Sequence, residues 1–189
     1  MKISFFKEEI TEDPKNLMMM AKIGDKTAFD NLYRLYFTPV FRYIYFRLKN
    51  KTVTEDLTQD VFIKVYKSIG RFQEKNKTPL AYFFTVARNT LIDYWRKKKE
   101  ILTNNQDILQ TPRQTLEESL KEKEDQKIIY QAIQFLKEEQ QTVIILKFIN
   151  DLTNKEIAGI LGKKEETVRQ IQCRALKTIR QYLKNKKLI

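Results

Sequence analysis

The stretch from Thr153 to Leu183, TNKEIAGILGKKEETVRQIQCRALKTIRQYL, leaves the chain the fewest ways to fold. It opens on a capping box: the Thr153 hydroxyl can accept from the Glu156 amide, and the Glu156 carboxylate can reach back to the amide of Thr153. Ile157, Ala158 and Leu161 give a short helix one apolar face. Gly162 then stands where a backbone with positive φ turns the chain sharply. Val168, Ile171, Ala175, Ile179 and Leu183 recur at spacings of three and four, which predicts a second helix with a single apolar stripe. Its other face carries Glu166, Arg169, Gln170, Arg174 and Lys177, side chains suited to phosphates and base edges. Two short helices, a glycine turn and a polar face starting at the second helix's N-terminus read as a helix-turn-helix. An amphipathic hairpin with a solvated outer face fits the same periodicity, and charge separates the two. Residues 163–189 carry nine Lys/Arg against two Glu, a net +7, which favours a DNA-reading surface.

The whole chain shares that bias. Its 189 residues carry a net charge of +12, which implies a polyanionic partner, nucleic acid or an anionic membrane surface. Aromatic residues make up 12% of the chain, enough to argue for folded cores. With no histidine, a His-based triad, proton shuttle or imidazole metal site is excluded within the chain. Cys173 is alone, so no internal disulfide or cysteine-rich zinc site forms; on the second helix it is expected to be a small buried or half-buried residue. The four glycines are isolated, so there is no phosphate-cradling glycine loop. We therefore expect no catalytic residues, metal or cofactor. No apolar run approaches the roughly 20 residues that span a bilayer, and acidic residues directly follow the short apolar start, unlike a signal peptide. The expectation is a cytoplasmic protein without membrane insertion.

Taken in order, Asp13-Pro14 reads as the cap and first position of a helix bearing Leu17, Met18, Met20, Ala21 and Ile23, its methionines serving core packing. Gly24 ends it and Asp25 caps the next, where Phe29, Leu32, Tyr33, Tyr36, Val40, Ile44 and Leu48 recur and Pro39 should kink or restart the helix. Thr54 is the expected cap of a third helix with core stripe Leu57, Val61, Val65 and Ile69. Its acids have a plain explanation in compensation of the helix dipole, with Glu55 and Asp56 in the first turn. Asp56, Gln59, Asp60 and Phe62 face elsewhere and suggest partner docking. After a polar loop, Thr78-Pro79 starts a long helix to about Lys99 with core residues Leu80, Phe83, Phe84, Ala87 and Leu91. It ends in RNTLIDYWRKKK, where basic groups interleave with Tyr94 and Trp95. Arg and Lys neutralise phosphates, and each exposed base stacked on an aromatic ring is worth about 1–3 kcal/mol. The competing reading packs Trp95 into the bundle and leaves the lysines solvated. Residues 101–116 lose helical periodicity and read as a linker. Ile128, Ile129, Ala132, Ile133 and Leu136 then resume a core stripe, and a helix over about 139–149 leads into the helix-turn-helix.

Four segments in this order resemble a bacterial sigma factor of the sigma-70 family, in its extracytoplasmic-function (ECF) group. GDKTAFDNLYRLYFTPVFRYI resembles the start of domain 2, and TEDLTQDVFIKVYKSIGRF the helix that docks on the polymerase clamp helices. TPLAYFFTVARNTLIDYWRKKK resembles the helix that melts and reads the −10 element; the chain from Leu136 to Leu183 resembles domain 4, which reads the −35 element. The resemblance implies an all-α fold of two small helical domains, a domain 2 bundle and a domain 4 helix-turn-helix, joined by a flexible linker. Residues 1–20 form the lead-in, 21–100 domain 2, 101–125 the linker and 126–189 domain 4.

Carried over by position, the resemblance assigns Asp56, Gln59, Asp60 and Phe62 to core polymerase binding. It assigns Phe72, Lys75, Asn76, Lys77, Arg88, Asn89, Asp93, Tyr94, Trp95, Arg96, Lys97 and Lys98 to −10 DNA. To −35 DNA it assigns Lys163, Lys164, Glu165, Glu166, Thr167, Arg169, Gln170, Arg174 and Lys177. Implied partners are core RNA polymerase (the clamp helices of its largest subunit and the flap of its second largest), promoter DNA and an anti-sigma factor. The sequence departs from the family where Lys164 replaces a small hydroxyl residue, Ile171 a common Arg and Cys173 a common His. The rivals are a stand-alone helix-turn-helix regulator, which has no use for RNTLIDYWRKKK, and a membrane-surface protein, which has none for the capping-box turn. An enzyme lacks any site.

Overall fold

The computed structural model describes residues 12–73, 78–104 and 124–188, which are helical with no strand among them. Helix α1 spans Pro14–Lys22 and takes its cap from Asp13, whose carboxylate accepts from the Lys15 amide at 3.2 Å. Leu17, Met18 and Ala21 are buried, whereas Met20 and Ile23 are exposed, so the methionine packing role is met by Met18. Gly24 at φ +101° turns the chain, and Asp25 caps α2 (Lys26–Leu48) by accepting from Ala28 N–H at 3.0 Å. Pro39 does not restart α2, which runs on through it. The proline costs one backbone hydrogen bond, and the buried stripe Tyr36, Val40, Tyr43 and Ile44 on both sides of it holds the helix together.

Helix α3 (Lys51–Ser68) begins earlier than the sequence suggests. Asn50 is the cap, accepting from Val53 N–H at 2.9 Å, while Thr54 is buried inside the helix and donates back to the Asn50 carbonyl at 2.6 Å. An Asn outcompetes a Thr as cap when both stand before a helix-forming run. The first turn consequently holds no acid, and dipole compensation no longer accounts for Asp56 and Asp60. A 3₁₀ turn, Ile69–Arg71, closes this hairpin. Helix α4 (Pro79–Asn104) is capped by Thr78, which accepts from Ala81 N–H at 3.2 Å, and continues five residues past the expected end at Lys99. Phe83 and Phe84 project from it into the aromatic core, with ring centroids 4.9 Å from Tyr36 and 5.6 Å from Tyr43.

Both ends of the expected linker are therefore helical, because α5 begins at Glu124 and runs to Gln134. On α5, Ala132 and Ile133 are buried, Ile128 is half-buried and Ile129 is exposed, a narrower stripe than expected. Helix α6 (Glu138–Ile144) passes into a π-helical turn, Ile145–Ile149. Gln141 to Leu146 are all buried in succession because this segment is packed on more than one side, while Phe148 points out. Helices α7 (Asn154–Leu161) and α8 (Glu165–Asn185) follow.

The two helical halves pack on each other. One hydrophobic cluster runs from Leu17 to Ala175, α4 lies against α7, and α2 lies against α5 and the π-helical turn. Gln134 Nε2 donates to the Phe46 carbonyl at 2.9 Å, and the Lys49 ammonium sits 4.4 Å from the centre of the Tyr130 ring.

Candidate nucleic-acid interface

The helix-turn-helix forms by the local chemistry its sequence encodes. Glu156 N–H donates to Thr153 Oγ1 at 3.2 Å, and Thr153 N–H donates to Glu156 Oε2 at 2.8 Å. Gly162 adopts φ +64°, ψ +36°, and Lys163 N–H closes back on the Ala158 carbonyl at 3.0 Å. Val168, Ile171 and Ala175 bury one side of α8 against α6 and α7. The opposite side leaves Glu166, Arg169, Gln170, Arg174 and Lys177 exposed, together with Lys163 and Lys164 ahead of the helix; Glu165 and Thr167 are half-buried.

Ion pairs order part of this surface. Arg169 Nη2 lies 2.8 Å from Glu165 Oε1, a hydrogen bond that raises the pKa of the guanidinium. Lys163 Nζ lies 2.8 Å from Glu139 Oε1, tying the approach to α8 to α6. Lys164 occupies the cap position of α8 and provides no side-chain hydrogen bond there. Ile171 is buried, so it presents nothing to a ligand. Cys173 is exposed, against the expectation of burial, because it stands two residues past the Ile171 stripe, on the polar side.

On α4, Asn89, Arg96 and Lys97 are exposed, while Arg88, Asp93, Tyr94, Trp95 and Lys98 are half-buried. Asp93 sits between cations: Arg96 at 3.2 Å on its own helix and Lys64 of α3 at 3.9 Å. Lys64 also donates to Thr90 Oγ1 at 3.1 Å. Tyr94 and Trp95 lean on the core rather than standing free, and Arg47 of α2 covers one face of Trp95, its guanidinium 4.6 Å from the ring centre. Phe72 is fully buried against Tyr82, with centroids 5.5 Å apart, and its carbonyl accepts from Lys22 Nζ at 3.0 Å. Its ring anchors the start of the loop and is unavailable to a base. Lys75, Asn76 and Lys77 lie outside the described residues.

On α3, Asp56, Gln59 and Asp60 share one exposed face at helical spacing. Phe62 does not join them. It is 4% exposed, packed between Tyr33 (4.6 Å) and Phe83 (5.2 Å), because it borders the Val61–Val65 core stripe. The apolar side chain beside the acids is Ile63, 50% exposed, which sequence reasoning passed over although it stands three residues after Asp60. Arg47 is a second residue that the motifs do not single out. Its side chain is 3% exposed, and burial pushes its pKa down against the opposing pull of Tyr43 and Glu138. The signal was present in the register, since Arg47 follows Val40 and Ile44 at spacings of four and three.

Geometry thus defines a helix-turn-helix protein with a second basic helix and an acidic face one helix away. Comparison with known proteins narrows the class. Residues 32–101 match Sigma-70 region 2, and residues 132–181 match Sigma-70, region 4. The ECF RNA polymerase sigma factor SigX of Bacillus subtilis is 31% identical over 166 residues, covering 82% of this chain and 84% of SigX. BldN of Streptomyces coelicolor, also an ECF sigma factor, is 30% identical over 170 residues, 88% of this chain and 64% of BldN. Among solved structures, CnrH in complex with the cytosolic domain of CnrY superposes with a TM-score of 0.70 at 18% identity, over 92% of this chain and 99% of that one. RpoE in complex with the anti-sigma factor NepR from Bartonella quintana gives 0.68 at 20% identity, over 82% and 96%. Those two likenesses establish the shared fold. The chain belongs to the sigma-70 family, in its ECF group. It is a promoter-directing sigma factor and not a stand-alone regulator, since the half that would have to dimerise or bind a ligand matches region 2.

Proposed function

We propose that this chain docks on the clamp helices of core RNA polymerase through Asp56, Gln59 and Asp60, with Ile63 as the apolar contact beside them. Domain 2, residues 21–100, then melts and reads the −10 element through Arg88, Asn89, Tyr94, Trp95, Arg96, Lys97 and Lys98. Asp93 holds Arg96 and Lys64 in place for that task, since a carboxylate facing phosphates directly would repel them. Domain 4, residues 126–189, reads the −35 element through Arg169, Gln170, Arg174 and Lys177, with Lys163 and Lys164 on the approaching phosphates and the polymerase flap against its other side. Phosphate contacts position such a protein, and a few base contacts specify. Residues 101–125 connect the two. The polymerase performs the chemistry, in the cytoplasm, and this chain performs none. No helix among the described residues is long and apolar enough to cross a membrane. An anti-sigma factor is a proposed third partner, because solved relatives of this fold are found with one.

The observation that carries this reading is the presence of both sigma regions, in order, on one chain whose α8 exposes its cations on a helix-turn-helix. The test is co-elution with bacterial core polymerase on gel filtration, with Asp60→Ala alongside. A stable complex weakened by the substitution supports the docking face. Native affinity in Asp60→Ala refutes that residue's role, and absence of any complex refutes the docking proposal as a whole.

A further inference from the structure

The basic face of α8 continues past the residues assigned to the −35 element. Arg174, Lys177, Arg180 and Lys184 succeed one another at spacings of three, three and four, which sets them on one helical face, and all four are exposed. Lys186 and Lys187 follow, also exposed, and no Asp or Glu stands after Glu166 to offset any of them. Among the described residues none of these six takes part in an ion pair, unlike Lys163 and Arg169 ahead of them. Lys184, Lys186 and Lys187 lie past the stretch matched to region 4, which stops at residue 181.

The stripe is held in place. On the other side of the helix Ala175 is buried, Ile179 and Tyr182 are half-buried, and the Tyr182 ring lies 5.2 Å from that of Phe135. The Tyr182 hydroxyl donates to Gln131 Oε1 of α5 at 3.4 Å. The helix end closes on itself: Lys186 N–H donates to the Tyr182 carbonyl at 3.1 Å and Leu188 N–H to the Leu183 carbonyl at 3.0 Å, with Lys187 turned to φ +56° between them. That closure gathers Lys184, Lys186 and Lys187 at one end of the helix. A helix dipole favours cations in its last turn, which accounts for Lys184 but reaches neither Arg180 nor Lys177.

Length decides what the stripe can touch. At 1.5 Å per residue, Arg180 and Lys184 stand about 16 and 22 Å along the axis from Arg169. The major groove is about 12 Å wide, and a helix that enters it by its N-terminus has left it at that distance. Past the groove wall base edges are out of reach, and the groups a cation meets are phosphates. We propose that the C-terminal half of α8, through Arg180, Lys184, Lys186 and Lys187, is a sequence-independent clamp on the DNA phosphates flanking the −35 element. The clamp rests on the −35 reading above and adds a non-reading contact to it: Arg169 and Gln170 choose the site, and the far end of the same helix holds the duplex whatever its sequence.

Salt dependence reports such a contact directly, because each neutralised phosphate steepens the fall of log affinity against log salt by about 0.9. We would assemble the full chain with core polymerase, select the fragments it retains from sheared bacterial DNA, locate the upstream element of one by footprinting, and titrate that fragment with salt. Arg180, Lys184, Lys186 and Lys187 would be changed together (R180Q/K184Q/K186Q/K187Q), with Arg169→Ala alongside and far-UV helicity as the check on folding. The quadruple variant is expected to keep its affinity for core polymerase and to show a slope shallower by about 2 to 4. Its DNA affinity should fall by more than tenfold at low salt, and by the same factor on a fragment whose −35 element is scrambled. Arg169→Ala should weaken binding to the intact element alone. Neutral methylphosphonate linkages flanking the element should weaken wild-type binding and leave the quadruple variant unmoved. An unchanged slope in the quadruple variant, with Arg169→Ala still discriminating the two fragments, would overturn the clamp and leave −35 reading intact. A loss of affinity for core polymerase itself would overturn it in favour of an acidic protein surface as the partner. No retained fragment, or no response to scrambling in the wild type, would sink −35 reading and the clamp with it.

Discussion

Two glycines three residues apart in the helix-turn-helix should respond to the same substitution with opposite signs. Gly162 sits at φ +64° with nothing within 4 Å of where a Cβ would stand. Its own amide and that of Lys163 both bond the Ala158 carbonyl, and alanine can keep both bonds. The cost of Gly162→Ala is therefore conformational alone, about 1–2 kcal/mol for an L-residue in the left-handed region, offset by about 0.4–1 kcal/mol of unfolded-state entropy. A net loss near 1 kcal/mol corresponds to a fall in Tm of roughly 2–4 °C for a chain of this size. Gly162→Asn should lose less, because asparagine tolerates that region. Gly159 lies inside α7 in ordinary helical geometry, also with open space around it, so Gly159→Ala should gain about 0.5–1 kcal/mol. Thermal melts followed by circular dichroism decide the matter. A Gly162→Ala protein as stable as the wild type, or a Gly159→Ala protein that loses stability, would refute the claim that backbone conformation at the turn sets these costs.

Thr153→Ala breaks the capping box and should cost about 1 kcal/mol, read as a shift in the urea midpoint at constant slope. Phe62→Ala should cost about 3–5 kcal/mol in stability, and any loss of core binding should track unfolding, in contrast to Asp60→Ala. Arg169→Ala should weaken binding to the −35 element by about ten- to hundredfold if the side chain reads a base; an unchanged footprint would remove it from that role. Burial raises the pKa of the Tyr36 and Tyr43 phenols. A raised folded-state pKa contributes stability that is complete below the unfolded phenol's value of about 10 and is lost as pH rises beyond it. Urea midpoints should accordingly fall above about pH 10, and Tyr43→Phe should blunt that fall.

The parts of the fold that rest on local chemistry could be read from the sequence. The Thr153–Glu156 box, the Gly162 turn, the Asp13 and Asp25 caps and the α8 stripe each depend on residues within one or two helical turns. Misreadings arose where two local signals competed. Asn50 and Thr54 are both good caps, and the one standing earlier won, which moved the acids of α3 out of the first turn. Pro39 signals a break, yet long-range burial of the residues around it overrode that signal. Six consecutive buried residues from Gln141 to Leu146 fit no one-faced stripe, because α6 and the turn after it are covered on more than one side, by α8 and α5 and by α2 and α7. Phe62 and Ile63 were separable in principle, since the Val61–Val65 stripe fixes which of two neighbours faces inward. The burial of Arg47 is legible in its register after Val40 and Ile44, but its partners are not, because Glu138 and Thr142 lie more than ninety residues away.

The most direct test of the account is reconstituted transcription from fragmented bacterial DNA, using core polymerase with and without this chain and mapping the 5′ ends made. The account predicts start sites that appear only when the chain is present, share a pair of spaced upstream elements, and fade with Arg169→Ala and Asp60→Ala. Identical starts with and without the chain, from polymerase that retains none of it, would contradict the account.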